Sequence, residues 1–208
     1  MPDPGKAGCY HPNVASTIAS DLDLLSREMR RLRASEYHRM IEAGIFGEDE
    51  RVELLGGVIV SVSPQNAYHA LVVERLSDPV FVSLPPQFVI RCQLPLTLAE
   101  TDEPEPDVAV IDRETPRSRQ RQPSTARLIF EVAADSLRKD REIKAAVYAR
   151  AGIPEYVVVN LKDECLEVNQ EPDAATGRYR THARLLKSES FASLAVAGLA
   201  FPVTELLA

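Results

Sequence analysis

Tryptophan is absent from this chain, aromatic residues make up 6% of it, and cysteine occurs only three times in its 208 residues. Each scarcity removes a class of function. So little aromatic surface leaves little to stack on sugars, which ranks a glycosidase-type pair of carboxylates last among the chemistries its acids could serve. Cys9, Cys92 and Cys165 are odd in number, widely spaced and outside any CxxC or Cys/His cluster. They define neither a disulfide framework nor a zinc site and read as reduced thiols. No apolar run nears the ~20 residues of a membrane span, and the amino terminus lacks a basic segment followed by an apolar one. The chain therefore reads as cytoplasmic, with no membrane attachment. Positive charge is short as well: 24 Lys and Arg against 31 Asp and Glu give a net charge of −7, a balance that does not favour general binding to phosphate backbones. Two stretches run the other way. They are "REMRRLR" at 27–33 and the linker at 112–127, where Arg113, Arg117, Arg119, Arg121 and Arg127 outnumber Asp112 and Glu114. Taken alone, each is a solvated face or loop.

What remains is an ordinary globular composition, 45% hydrophobic and 26% charged, in a length that one core serves. Residues 1–17 read as a flexible tail ahead of a single domain over 18–208. Apolar residues at helical spacing from 20 to 44 predict two helices, the second with Ser35 as N-cap and Gly44 as its stop. "RVELLGGVIVSVS" sets Gly56 and Gly57 between two β-branched runs, a hairpin pattern. "NAYHALVVERL" reads as helix, with "SDP" at 77–79 either kinking it or capping a second segment. "FVIRCQLPLTL", "DVAVI" and "LIFEV" are strand-like, and "DREIKAAVYARAG" is a helix ending before the strand "YVVVN". That strand, helix, strand order over 128–160 is a crossover between parallel strands. Three final segments, from "CLEVNQ" onward, predict antiparallel edge strands and a closing apolar tail. The class is α/β.

Two carboxylates stand where charge is expensive. Asp107 opens "DVAVI", and Glu131 sits inside "LIFEV", whose neighbours argue for a strand covered on both faces. An unpartnered ionised acid there costs several kcal/mol, so it should be protonated, paired or metal-bound. On the following helix, at about 100° per residue, Lys144 shares an apolar arc with Ile143, Val147, Tyr148 and Ala151, opposite Glu142, Ala146, Ala149 and Arg150. An inward lysine on the helix that packs over Glu131 points to a carboxylate site. Two hard oxygen ligands suit Mg²⁺, with Mn²⁺ as a substitute, and the trio fits metal-assisted phosphodiester hydrolysis. The lysine would orient or help deprotonate the attacking water.

"ERVELLGGVIVSVSPQNAYH", "PEPDVAVI", "LIFEV" and "DREIKAAVYARAGIPEYVVV" together resemble the Uma-type family, a restriction-endonuclease-like branch of the PD-(D/E)XK nuclease superfamily. The resemblance runs from about Leu32 to the carboxyl terminus. It implies a restriction-endonuclease-like fold, a mixed central β-sheet flanked by helices. It also implies roles: Asp107 as the metal-binding aspartate, Glu131 as the acid of the (D/E)XK element, Glu53 as a further metal ligand. The lysine usual two residues past that acid is replaced by Ala133, and Lys144 matches one moved to the next helix. His69 and Gln93 fall at positions the family often fills with a histidine and a polar residue, and rank as secondary candidates. Ala134, Asp135 and Val157 depart from the family pattern without touching these sites.

The expected activity is thus a Mg²⁺-dependent endonuclease acting on DNA, with the arginine-rich linker gripping backbone phosphates near the cut. A homodimer would suit a duplex with two strands to cut. The alternative is a non-catalytic binding or assembly module that keeps the nuclease fold. Pro104 and Pro106 stiffen the approach to Asp107, and Glu103 and Glu105 are expected as flanking residues, solvent-facing or supporting, with no catalytic duty.

Overall fold

The computed structural model describes residues 28–62 and 65–207, with backbone alone for 79–83. Contacts divide the chain into two compact units, Met1–Arg31 and Leu32–Ala208, and the account below concerns the second. The expected 1–17 tail and most of the first expected helix lie outside the described residues. None of the helices described is long and apolar enough to cross a membrane.

Helix α1 (Ala34–Glu42) begins two residues earlier than its serine implies. Arg33, not Ser35, is the N-cap, and Glu36 closes the turn by accepting from the Arg33 backbone N–H at 3.1 Å. Gly44, at φ +65°, follows the helix end as expected. The hairpin of β1 (Val52–Leu55) and β2 (Val58–Ser61) turns on Gly56 and Gly57, both at positive φ, as a two-residue primed turn requires. Helix α2 (Ala67–Ser83) runs on through Pro79 as one element, so "SDP" neither ends it nor starts another.

Six strands make the central sheet: β3 (Phe88–Cys92), β4 (Val108–Asp112), β5 (Leu128–Ala133), β6 (Glu155–Asn160), β7 (Cys165–Asp173) and β8 (Arg178–Leu186), in that spatial order. Every neighbouring pair is antiparallel except β5 and β6, which are parallel and joined by the expected helical crossover. The crossover opens with a π-helical turn, Lys139–Lys144, and continues as α3 (Ala145–Arg150). A small hairpin, β9 (Ser190–Ala192) with β10 (Ala200–Pro202), and helix α4 (Thr204–Leu207) close the chain.

The alternation of strand side chains sorts the core into two layers. Val108, Val110, Leu128, Phe130, Val157 and Val159 face α2 and the carboxyl-terminal Phe191, Phe201 and Leu206. Ala109, Ile111, Ile129, Ala133, Tyr156 and Val158 face Val147, Tyr148 and Ala149 of α3. Two residues of the expected helical wheel are therefore misplaced: Ile143, expected in the apolar arc, is 50% exposed, and Ala149, expected opposite that arc, is fully buried. The cause is the π turn, which winds by less than the 100° per residue assumed for an α-helix.

Candidate active site

The register of β4 on β5 pairs Val108 with Phe130, and one step further sets Asp107 opposite Glu131. Both have the parity of the layer under α3, so both acids reach the same end of the same face. Glu131 is buried and receives two hydrogen bonds on one oxygen: Lys144 Nζ donates to Oε1 at 2.8 Å and the Tyr148 hydroxyl at 2.6 Å. Helix spacing of four residues stacks those two donors over the strand. Glu53, fully buried on β1, accepts from Lys144 Nζ through Oε2 at 3.0 Å. All four principal candidates, Glu53, Asp107, Glu131 and Lys144, thus meet in one cluster. Asp107, Glu131 and Lys144 line a single cleft together with His69, Arg51, Lys139 and Asp140.

Asp107 is held by three donors from three elements. Its Oδ2 accepts the Val132 backbone N–H at 2.8 Å and lies 3.3 Å from His69 Nε2, while Gln93 Nε2 donates to Oδ1 at 3.2 Å. Both secondary candidates therefore land on the aspartate. Gln93 sits at φ +51°, and its backbone N–H reaches the carbonyls of Pro106 and Asp107 at 3.1 Å each, which braces the proline-stiffened approach. Burial pushes Asp107 upward, but His69 and the Val132 N–H outweigh it and hold the carboxyl below its ordinary range.

Glu131 goes the other way. Burial, with Asp107, Asp140 and Glu53 adding like charge, pushes it up to about 8 against the pull of Lys144. Burial opposes charge on Lys144 too, yet the carboxylates of Glu131, Glu53 and Asp140 more than offset it and raise the lysine above its ordinary value. Burial likewise raises Asp140.

The metal expectation can be tested on the donors themselves. Among the described residues, no group of three or more His, Cys, Asp or Glu is set to hold an ion. Mg²⁺ asks for less, taking one or two carboxylates and keeping several waters. Glu131 meets that need, since both its hydrogen bonds fall on Oε1 and Oε2 has none among the described residues. Asp107 keeps spare lone pairs on two hard oxygens. The pair fits. Glu53, expected to complete the shell, instead has an ammonium on each oxygen, Lys139 at 3.0 Å and Lys144 at 3.0 Å.

Sequence reasoning passed over several participants. Lys139 lies outside the apolar arc and Tyr148 inside it, where an aromatic at helical spacing reads as core, although the run of Lys139, Lys144 and Tyr148 toward one strand is a signal for both. Of the two places expected for Glu103, the solvent-facing one is excluded: it is buried against His38 Nε2 at 2.8 Å and the Thr97 hydroxyl at 2.5 Å. Glu105 pairs with Arg51 at 3.3 Å. The arginine linker leaves β4 and enters β5 at the strand ends away from Asp107, and none of its five arginines lines the cleft. Arg113 and Arg117 are tied to backbone carbonyls and Arg127 to Asp112, leaving Arg51 as the arginine at the cleft.

A mixed sheet flanked by helices, with two acids converging from adjacent strands and a lysine from the crossover helix, defines a restriction-endonuclease-like fold. The chain belongs to the Uma2 family, whose model, described as "Putative restriction endonuclease", matches residues 34–204. A solved structure from Anabaena variabilis ATCC 29413, described as a "putative nuclease belonging to DUF820", shares this fold. It has a TM-score of 0.65 at 12% identity, over 81% of this chain and 96% of that one. No curated protein matches the chain.

Proposed function

We propose that the protein is a metal-dependent endonuclease that hydrolyses phosphodiester bonds in DNA. The observation that carries this reading is the under-coordinated Glu131. It is a buried carboxylate with one oxygen that has no hydrogen bond among the described residues, opposite Asp107 and against a lysine, at a cleft. Asp107 and Glu131 would hold a Mg²⁺ ion, which when bound supplies Lewis acidity and an activated water.

This chain's own residues do the rest. Lys144, held charged by its carboxylate neighbours, keeps its proton at neutral pH. It therefore orients the nucleophile and offsets charge growing on the phosphoryl oxygens, and does not act as a base. Tyr148 fixes the Glu131 carboxylate from the side away from its free oxygen. His69 and Gln93 hold both oxygens of Asp107 in place, so the acid is pre-set when substrate arrives. A homodimer would bring two such clefts to the two strands of a duplex.

One feature favours the alternative of a non-catalytic module: the lysines already neutralise Glu53 within the protein. One assay separates the two. Supercoiled and linear DNA are incubated with the parent chain, Asp107→Asn and Lys144→Met, in Mg²⁺, in Mn²⁺ and in EDTA. Metal-dependent nicking by the parent, lost in both variants, is expected. A parent chain inert in every condition, or variants as active as the parent, would refute the endonuclease reading.

A further inference from the structure

Glu53 and Lys139 are members of the cluster whose chemistry is still unassigned, and their geometry is specific. In an α-helix, residues five apart diverge by about 140°, so Lys139 and Lys144 could not reach one carboxylate. The crossover avoids this with a turn closed five residues back: the Ala145 N–H donates to the Asp140 carbonyl. The Tyr156 hydroxyl donates to that same carbonyl at 3.0 Å, anchoring the wide turn to β6. Both ammoniums then fall on Glu53, one per oxygen, and the Glu105 N–H approaches Oε2 at 3.4 Å. A carboxylate so occupied has little left for an ion.

The two lysines differ in access. The Lys144 side chain is 5% exposed and spends two contacts on Glu53 and Glu131, whereas Lys139 is 19% exposed and lines the cleft. Among the described residues Lys139 hydrogen-bonds and ion-pairs with Glu53 alone, its charge acting on Asp140 only at longer range, so two of its three N–H donors remain. We propose that Lys139 contacts substrate, donating to a non-bridging oxygen of a phosphodiester, and that Glu53 positions Lys139 and Lys144 and is not a metal ligand. This rests on the endonuclease reading for the identity of the phosphodiester. The ammonium is a point charge on a flexible stem, suited to gripping a phosphate without reading sequence.

The full chain, Lys139→Gln and Lys139→Arg are titrated with a fluorescein-labelled duplex in Ca²⁺ over a range of salt. Glutamine keeps a hydrogen bond to Glu53 while removing the charge, and melting curves confirm folding. Lys139→Gln is expected to weaken binding by about tenfold and to reduce the slope of log affinity against log salt by about one, with Lys139→Arg close to the parent. In parallel, Mn²⁺ titrations of Glu53→Gln should stay within about threefold of the parent while Asp107→Asn loses the ion. An unchanged salt slope in Lys139→Gln, with the parent still cutting DNA, would reduce Lys139 to an internal counter-ion and overturn the proposal alone. A loss of Mn²⁺ affinity in Glu53→Gln matching that of Asp107→Asn would return Glu53 to the metal shell. A parent that neither binds nor cuts DNA would remove the endonuclease reading and this inference together.

Discussion

Strands β5 and β6 lie side by side and parallel, and each buries a glutamate, yet the two acids are solvated by the protein in opposite ways. Glu155, at the start of β6, is saturated. Its Oε1 accepts from Gln170 Nε2 at 2.5 Å and the Leu194 N–H at 3.3 Å, and its Oε2 from the Ser193 hydroxyl and the Ala195 N–H at 3.4 Å. All four donors are neutral, and three come from the loop after β9, which the acid fastens to the sheet. Glu131, on β5, has two donors on one oxygen, one of them charged, and an idle second oxygen at a cleft. A carboxylate with every lone pair answered is a fastening; one left half-answered among like charges is kept for a ligand, at a cost in stability.

The widest separation should appear in catalysis. Glu131→Gln removes a charge that would hold the ion, and a contribution of several kcal/mol to the transition state corresponds to a fall of about 10³-fold in DNA cleavage. Glu155→Gln should cleave within a few-fold of the parent per folded molecule. Comparable losses in both, measured as initial nicking rates on folded protein, would erase the distinction.

Stability should reverse the ranking. Glu155→Ala strands four donors, one buried and three part-buried, so we expect a loss of about 3 kcal/mol and roughly 10 °C in Tm. Glu131→Gln should hold its melting temperature, because the amide still accepts from Tyr148 and, like the protonated acid at neutral pH, carries no buried charge. Calorimetric scans of both variants at neutral pH in EDTA decide this; a Glu131→Gln protein that melts far below Glu155→Ala would invert the assignment.

How much of this was readable beforehand follows from which periodicities hold. Period two in the strands is robust, so Asp107 and Glu131 could each be marked from "DVAVI" and "LIFEV", and brought to one site on the condition that the two strands are neighbours with a suitable stagger. Lys144 was found because its side of the helix survives the π turn. Lys139 and the outward Ile143 were missed because a wheel drawn at 100° per residue has no place for a turn closed over five residues. The linker was assigned to the cut because it joins the two acid-bearing strands. An antiparallel pairing, however, carries that connection to the end remote from Asp107, and the pairing direction is a tertiary fact. Buried Glu103 depends on His38 and Thr97, partners distant in sequence or on another segment, which no local pattern announces.

A smaller contrast lies in pH. Glu131 is pushed up to about 8 from an ordinary 4.5, so between those values the folded chain holds a proton that the unfolded chain has released. Its contribution to stability is full below pH ~4.5 and is lost as pH rises through ~8. In EDTA the parent should therefore weaken by a few kcal/mol relative to Glu131→Gln across that window, read as diverging urea midpoints. Parallel curves for the two proteins would mean that Lys144 keeps Glu131 ionised throughout, and that the acid is an ordinary buried ion pair.

The smallest effect should come from Tyr148→Phe, which takes one donor from Glu131 and leaves the packing of α3 in place. Burial and the neighbouring Glu131 carboxylate raise the Tyr148 phenol well above its ordinary value, so it is a neutral donor at any working pH. Losing it should cost about 1 kcal/mol, as expected for a buried hydrogen bond. Cleavage that needs an ionised Glu131 should rise with pH, and because the carboxylate with one donor fewer should ionise later, that rise should move to higher pH in the variant while the Glu155 fastening is untouched. Rate profiles over pH for the variant and the parent, with melting curves alongside, measure both consequences. If neither moves, Tyr148 is core alone, and Lys144 by itself accounts for the state of Glu131.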